Sequence, residues 1–271
     1  MKRSILPLAL VLLVLAACIY TYRLEVTDNR AWTATGLTAL DLSTRNGSVE
    51  IDAAGSDSVH VEITKSCYGR NKEDAEKYIG NIAITDTVIA GRLDVTADMP
   101  TDGRNYGAAF DVACPGSLDL DVRTSNGSVT VTSMTGDVVV ETSNGSVTLT
   151  GTNGAADINT SNGAVDLRVH QGAVTVNTSN GSVDCDVAAL GPAEQVDLET
   201  SNGAVTLLLP ADVSCTFDAS TSNGEVTVVA SGFGSVNYTL SERTHKAGTI
   251  GSGASTVNIE TSNAAVTIRA R

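Results

Sequence analysis

The stretch that decides the fold is Thr124-Ser125-Asn126-Gly127-Ser128-Val129-Thr130-Val131-Thr132-Ser133-Met134-Thr135-Gly136-Asp137-Val138-Val139-Val140-Glu141-Thr142-Ser143-Asn144-Gly145. After Asn126-Gly127, Val129 and Val131 share one face and Thr130 and Thr132 the other. After Met134-Thr135-Gly136-Asp137 the alternation resumes, with Val138, Val140 and Thr142 on one face. Alternation of period two marks a half-buried strand. The opening tetrapeptide then returns at Thr142-Ser143-Asn144-Gly145.

Working outward, Thr-Ser-Asn-Gly stands at 124–127, 142–145, 160–163, 178–181, 200–203 and 221–224. Thr44-Arg45-Asn46-Gly47 is an upstream variant, and Thr261-Ser262-Asn263-Ala264 closes the series. From Asn126 the asparagines step by 18, 18, 18, 22, 21 and 40 residues. The step of 40 reads as two of 20 with one corner lost. The 80 residues from Asn46 to Asn126 read as four degenerate steps. A fixed period near 20 is the mark of a stacked repeat. Parity holds through Val147 and Leu149, Ala156, Ile158 and Thr160, Val165 and Leu167, and Val174, Val176 and Thr178. A second corner carries Gly136, Gly154 and Gly172, each ten residues after a corner Asn.

These features predict an all-β, single-stranded β-solenoid with coils of about 18–22 residues. Asn tolerates left-handed backbone angles and Gly has no Cβ to clash there, which suits a corner. Stacked coils would align Asn46, Asn126, Asn144, Asn162, Asn180, Asn202, Asn223 and Asn263 as a turn ladder, spaced about 4.8 Å. That structural role outweighs ligand binding by these residues. Asn-Gly between alternating strands is also a strong hairpin turn, so an antiparallel meander remains open. A meander of this length would form a wide sheet needing a cover. The chain offers one short helix, Asn71 to Ile79, which starts on a capping residue, has acids in its first turn and stops at Gly80.

The N-terminus divides into three parts. Lys2 and Arg3 precede an apolar run from Ile5 to Leu15, too short to span a bilayer, and Leu15-Ala16-Ala17-Cys18 follows. This layout resembles the lipobox of bacterial lipoproteins. It implies a signal peptide over 1–17, lipidation at Cys18, and attachment to the membrane through the lipid anchor. Ile19 after the cysteine favours the outer membrane in a two-membrane host, by resemblance to known sorting. Residues 18–35 read as a membrane-proximal tether. Residues 36–271 read as one solenoid domain, with regular repeats over 118–271.

The chain has 17 basic and 31 acidic residues, a net charge of −14. Loss of the leader's two basic residues brings it near −16. That balance argues against nucleic acid, whose phosphates demand a basic partner. Besides Cys18 there are Cys67, Cys114, Cys185 and Cys215. Cys185 and Cys215 fall at inward parity as core residues. Cys67 and Cys114 lie outside the regular repeat and are the favoured disulfide, although sequence alone does not choose among three pairings. No CxxC spacing points to a metal.

Little points to catalysis. His60, His170 and His245 lie on different repeats and read as solvated. No GxSxG, HExxH or Walker loop occurs. Asp166 and Asp184, one coil apart with Arg168 nearby, are the best acidic pair for polysaccharide chemistry. A solvated acidic face is the plainer account, and it also covers Asp186, Asp157, Asp197, Glu199 and Asp218. Outward aromatic platforms for sugars are nearly missing. An outward threonine array, begun by Thr130, Thr132, Thr148 and Thr150, ends at Asp166 and Arg168. No catalytic residue, metal or cofactor is expected.

The repeated Thr-Ser-Asn-Gly-[Ser/Ala]-Val, Asn46-Gly47-Ser48-Val49-Glu50-Ile51, Asp111-Val112-Ala113-Cys114-Pro115 and Gly248-Thr249-Ile250-Gly251-Ser252-Gly253 together resemble the bacterial "putative adhesin" β-strand-repeat family, a domain of unknown function. The resemblance runs from near Gly36 to the C-terminus. It implies a β-helix-like fold and supplies no catalytic residues. Arg45 and Ala264 depart from the corner pattern, and Ala264 reads as the mark of a terminal coil. The expected function is a lipid-anchored, non-enzymatic envelope protein acting as an adhesin or interaction scaffold, with an unknown envelope or extracellular partner. A polysaccharide-binding or polysaccharide-active β-helix is one alternative. An envelope-stress-linked structural lipoprotein is another.

Overall fold

Alternating Val and polar positions place every second side chain of each strand in a shared interior, and two sheets close around it. The computed structural model describes residues 21–55 and 57–271. Signal peptide 1–17 and Cys18 therefore lie outside the described residues. An 11-stranded sheet and a 12-stranded sheet face each other. Apart from antiparallel strands at their margins, each contributes nine parallel strands, one per coil. Every coil runs along the second sheet and returns along the first; eight of the nine turn at a Thr-Ser-Asn-Gly-type corner, and the coil of Arg92–Asp98 and Tyr106–Cys114 turns through residues 99–105 instead.

The parallel register is constant. Val138-Val139-Val140 stands beside Ala156-Asp157-Ile158, which stands beside Val174-Thr175-Val176. Thr148 stands beside Asp166. The strand Val138–Thr142 pairs with Asp119–Thr124 and Ala156–Thr160, not with Val147–Thr150. The meander is therefore excluded. Val129, Val131, Val140, Val147, Leu149, Ile158 and Val176 are fully buried between the sheets.

The N-terminal part is not a run of degenerate coils. Its strands are β1 (Tyr22–Thr33), β2 (Ala39–Ser43), β3 (Val49–Ala53), β4 (Ser58–Gly69), then helix α1 (Lys72–Ile79), then β5 (Ala83–Ile89), β6 (Arg92–Asp98) and β7 (Tyr106–Cys114). β2 and β3 stack directly on the coil 119–132. β6 and β7 form a coil on their other side. The 80 residues between Asn46 and Asn126 thus span one coil step, and the remainder is an excursion. β4 and β1 extend the first sheet antiparallel, and β5 extends the second. Within 18–35, read as a tether, residues 22–33 are β1. Its inward side chains are mixed, with Asp28 and Arg30 among Leu24, Val26 and Trp32, which hid the strand from a hydrophobic pattern. Helix α1 forms as expected: the Asn71 side chain accepts from the Asp74 N–H at 2.8 Å, and Ala75 and Ile79 are buried.

The C-terminal end mirrors this device. The last coil in sequence, 255–270, lies between the coils 195–209 and 215–229. Ala264 therefore does not mark a terminal coil. The 40-residue step contains no lost corner; it contains an antiparallel hairpin, Val236–Ser241 and His245–Ile250, laid beside Cys215–Thr221.

The favoured disulfide is absent: all four described cysteines are free and buried. Cys67 stands opposite Tyr106 across β4 and β7. Cys114 lies eight residues farther along β7, about 27 Å away at strand rise. A disulfide needs Cα atoms within roughly 7 Å. Cys185 and Cys215 are core residues as expected. Burial pushes the Cys114 and Cys215 thiols up to about 11, which keeps them protonated and unreactive.

Candidate interaction surfaces

The corner ridge is the most regular surface. Asn144 donates Nδ2–H to Asn126 Oδ1 at 2.7 Å, Asn162 to Asn144 at 2.8 Å, Asn180 to Asn162 at 2.7 Å, and Asn202 to Asn180 at 2.8 Å. The chain of bonds continues from Asn126 to Asn46, from Asn263 to Asn202, and from Asn223 to Asn263. All eight predicted ladder residues are joined, with Asn263 the penultimate rung. The amides bond one another in series, so their hydrogen-bonding capacity is largely spent within the ridge. The corner threonines form a second, inner ladder. Thr160 Oγ1 accepts from the Gly163 N–H and donates to the Gly145 carbonyl, and Thr142, Thr178 and Thr200 do likewise one coil apart.

The corner glycines have a different cause from the one expected. In the regular coils the left-handed backbone positions, among them Ser133, Gly151, Gly154 and Gly172, are at the second corner, with Val169 in a strand leading to it, and not at the Asn-Gly corners. At the first corner a Cβ on Gly145, Gly163, Gly181 or Gly203 would lie 1.7 Å from the carbonyl oxygen of the glycine one coil below. Close stacking excludes a side chain there.

The outer faces are flat strand surfaces. Asp166 and Asp184 are neighbours in register, as expected, on the 11-stranded sheet. Arg168 Nε donates to Asp166 at 2.9 Å, and Arg271 Nε pairs with Asp186 at 2.6 Å. Asp166 therefore belongs to an exposed ion pair, with Asp184 beside it on an open sheet. On the other sheet Asp157, Thr175, Asp197, Asn258 and Asp218 form one outward row, and Glu199 and Glu260 stand side by side in the next. These rows line a shallow, open depression with Asn177 and Ser220. Asn258 donates to Asp197 at 2.7 Å, and His245 contacts Asp218 at 2.8 Å.

A second acidic stack was not legible in the sequence. Asp94, Asp41 and Asp121 are adjacent in register. Arg92 bonds Asp41, and Arg123 donates to Asp121 at 2.7 Å. Burial and the neighbouring Asp41 carboxyl hold Asp94 above the usual carboxylate range. Only the placement of β2 between β6 and the strand Asp119–Thr124 brings these residues together, and no sequence period connects them. Among the described residues, no group of three or more acidic, His or Cys side chains has the geometry to hold a metal ion.

His170 corrects the reading of the histidines as solvated. His60 and His245 face solvent, but His170 is 1% exposed. A left-handed Val169, φ 58°, puts a bulge into its strand and turns His170 inward. Its Nδ1 meets Thr152 Oγ1 at 2.8 Å and its Nε2 meets the Ala173 carbonyl at 3.3 Å. A carbonyl only accepts, so the geometry assigns the proton to Nε2, and the threonine hydroxyl donates to Nδ1. Burial lowers the His170 pKa. Unfolding restores ordinary basicity, so below about pH 6.5 the unfolded chain binds a proton that the folded one resists. Stability contributed by this residue is present above that pH and is lost as pH falls through it towards the lowered folded value. Urea melts should show wild type losing more stability between pH 7.5 and 5 than His170→Asn. Equal pH slopes for the two proteins would refute the buried neutral imidazole.

No helix among the described residues is long and apolar enough to cross a membrane. No curated protein matches the chain in sequence. Among solved structures, a "putative cell adhesion protein" from Clostridium sporogenes is similar at 11% identity, covering 91% of this chain and 100% of its own, with a TM-score of 0.43. A "putative adhesin" from Bacteroides fragilis is similar at 10% identity, covering 91% and 97%, with a TM-score of 0.39. Another from Parabacteroides merdae is similar at 11% identity, covering 90% and 96%, with a TM-score of 0.25. The family model described as Toastrack DUF4097 matches residues 116–269, which take in the regular coils and the intercalated last one, and the chain belongs to that family.

Proposed function

We propose that this protein is a lipid-anchored, non-enzymatic interaction scaffold of the bacterial envelope, in the adhesin class. The observation that carries this reading is the stack itself. Nine coils at about 4.8 Å make a rigid rod roughly 40 Å long, whose polar groups are largely paired with one another and whose carboxylates lie on open faces. Such a body presents extended surface to a large partner and offers a small substrate no enclosed place to react. The Leu15-Ala16-Ala17-Cys18 box supplies the membrane attachment.

The anchoring half is tested by Cys18→Ala, which is expected to move the protein from the membrane fraction to the soluble one without changing its melting temperature. Mass spectrometry of the wild-type N-terminus should find an acylated Cys18. An unmodified N-terminus at another residue would remove the lipoprotein reading. The scaffold half is tested by cross-linking pull-down from intact envelopes. Here Asp166→Asn with Asp184→Asn should retain the captured partner. A hydrolytic or lyase activity that disappears in that double variant would make the protein an enzyme instead.

A further inference from the structure

The two ends of the rod differ. At the C-terminal end the edge strand Val226–Val229 is covered: Val226 N–H donates to the Arg243 carbonyl at 2.8 Å, and Lys246 Nζ donates to the Val226 carbonyl at 2.7 Å. At the N-terminal end β1 and β5 are the last strands of their sheets and overhang the final coil. On β1 the even-numbered residues face inward, because Leu24, Asp28, Arg30 and Trp32 stand opposite the buried Cys67, Ile63, Val61 and Val59. On β5, Ile84, Asp86 and Val88 face inward opposite Ala97, Val95 and Leu93. Arg30 bonds Asp86, and Trp32 Nε1 donates to it at 3.3 Å, so a polar clasp joins the two overhanging strands.

Around this clasp the apolar side chains have no further coil to cover them. Tyr22 is 37% exposed, Val26 41% and Val88 54%, and Ile89, at 67%, stands beside them at the tip of β5 on its outer face. These four are half of the eight large hydrophobic residues exposed among the described ones. Charge separates the same end from the flank. Residues 22–33 and 58–89, which build the end, hold six basic and seven acidic side chains. Residues 119–230 hold two and fourteen. An anionic surface repels the flank strongly and this end hardly at all. The C-terminal end is also spared by charge, but its edge is capped and it is the opposite end of the stack from Tyr22. Tyr22 lies four residues after Cys18, a reach of at most about 14 Å.

We propose that the N-terminal end of the solenoid, formed by β1, β5 and α1, is a membrane-contact surface that holds the rod end-on against the bilayer carrying its anchor. The proposal rests on the lipid-anchor reading. The contact is interfacial. Open sheet edges on β1 and β5 cannot enter hydrocarbon, where their backbone groups would go unsatisfied. Val26 and Val88 reach into the headgroup boundary, with Ile89 at the strand tip beside them, Tyr22 suits it as an amphipathic ring, and Lys65, Arg70, Lys72 and Lys77 lie around it to meet phosphates.

Trp32, the single tryptophan, reports on this surface. The test uses the full lipidated protein in vesicles of phosphatidylethanolamine and phosphatidylglycerol, with and without lipids brominated close to the headgroup. Trp32 emission is expected to fall by roughly half with the brominated lipid, since interfacial contact buries side chains to about 5–10 Å. V88W in a W32F background should be quenched at least as strongly, and Y238W in the same background, at the far end, should not be. Adding Val26→Asp with Val88→Asp should restore Trp32 emission while the protein still sediments with the vesicles. Absence of quenching at both Trp32 and V88W overturns the contact, whether or not the protein sediments. Equal quenching at both ends overturns the end-on orientation. A dimer in detergent that shields V88W would assign the surface to a second copy and overturn the proposal. Failure of the anchor itself is read separately, from an unacylated Cys18 by mass spectrometry.

Discussion

A chain ending at Ile250 is expected to keep its N-terminal coils and lose its C-terminal ones. The deletion removes Ser255–Thr261 and Val266–Ala270, which are not an outer layer. Among the described residues they are the strands that join 195–209 to 215–229 by hydrogen bonds in both sheets. They also bring four buried apolar side chains, Val257, Ile259, Val266 and Ile268, into the core. At about 1.5–3 kcal/mol each, those side chains contribute roughly 6–12 kcal/mol of burial. Each coil of a solenoid contacts only its neighbours, so damage at one layer stays local. Limited proteolysis should therefore cut the truncated protein within 210–250 and leave a resistant fragment ending near Leu209. A peptide of residues 251–271 added in trans should restore protection. If the coil 215–229 closes directly onto 195–209, with full protease resistance and an unchanged melting temperature, the intercalated layer is dispensable.

That topology marks the limit of what the sequence disclosed. The regular coils were fully legible, because Thr-Ser-Asn-Gly at 18-residue steps fixes both strand parity and register: Val138, Ala156 and Val174 align as their spacing requires. The Asn ladder and the short helix were legible for the same reason, since their signals are local. Coil order was not. Asn263 bonds Asn202 across 61 residues and Asn126 bonds Asn46 across 80. Spacing alone reads such gaps as missing repeats, when they are excursions that return the chain beside an earlier coil. His170 was misjudged because its burial depends on the left-handed Val169, a backbone choice with no composition cue. The Cys67–Cys114 pairing assumed that two cysteines outside the repeat would meet; they lie near opposite ends of neighbouring strands. The acidic pair at Asp166 and Asp184 was placed correctly, in register on an open face of the 11-stranded sheet.

The corner glycines give the second large effect, and its ordering by side chain separates two explanations. If the corner needed a left-handed backbone, Gly163→Asn would be the mildest substitution, because Asn visits that region readily. The structure instead puts the Gly163 Cβ position 1.7 Å from the Gly145 carbonyl oxygen and 3.0 Å from Thr160 Oγ1. A side chain there must force two coils apart at the point where the threonine and asparagine ladders are anchored. Ala264 shows that a single methyl can be accommodated where the chain carries one at this place in the motif. Gly163→Ala is thus expected to cost about 1–3 kcal/mol, in the range of an overpacked core. Gly163→Asn and Gly163→Val should cost more, since each adds bulk beyond the methyl, and Gly163→Val should leave the central coils unfolded. Asn162→Ala removes two bonds of an exposed ladder, to Asn144 and from Asn180, and should cost about 1–3 kcal/mol at roughly 0.5–1.5 kcal/mol for each hydrogen bond. Urea denaturation of the four variants gives the order directly. Finding Asn at position 163 milder than Ala would mean that backbone angle rather than coil spacing selects glycine, and the same carbonyl contacts at Gly145, Gly181 and Gly203 would then lose their significance for the stack.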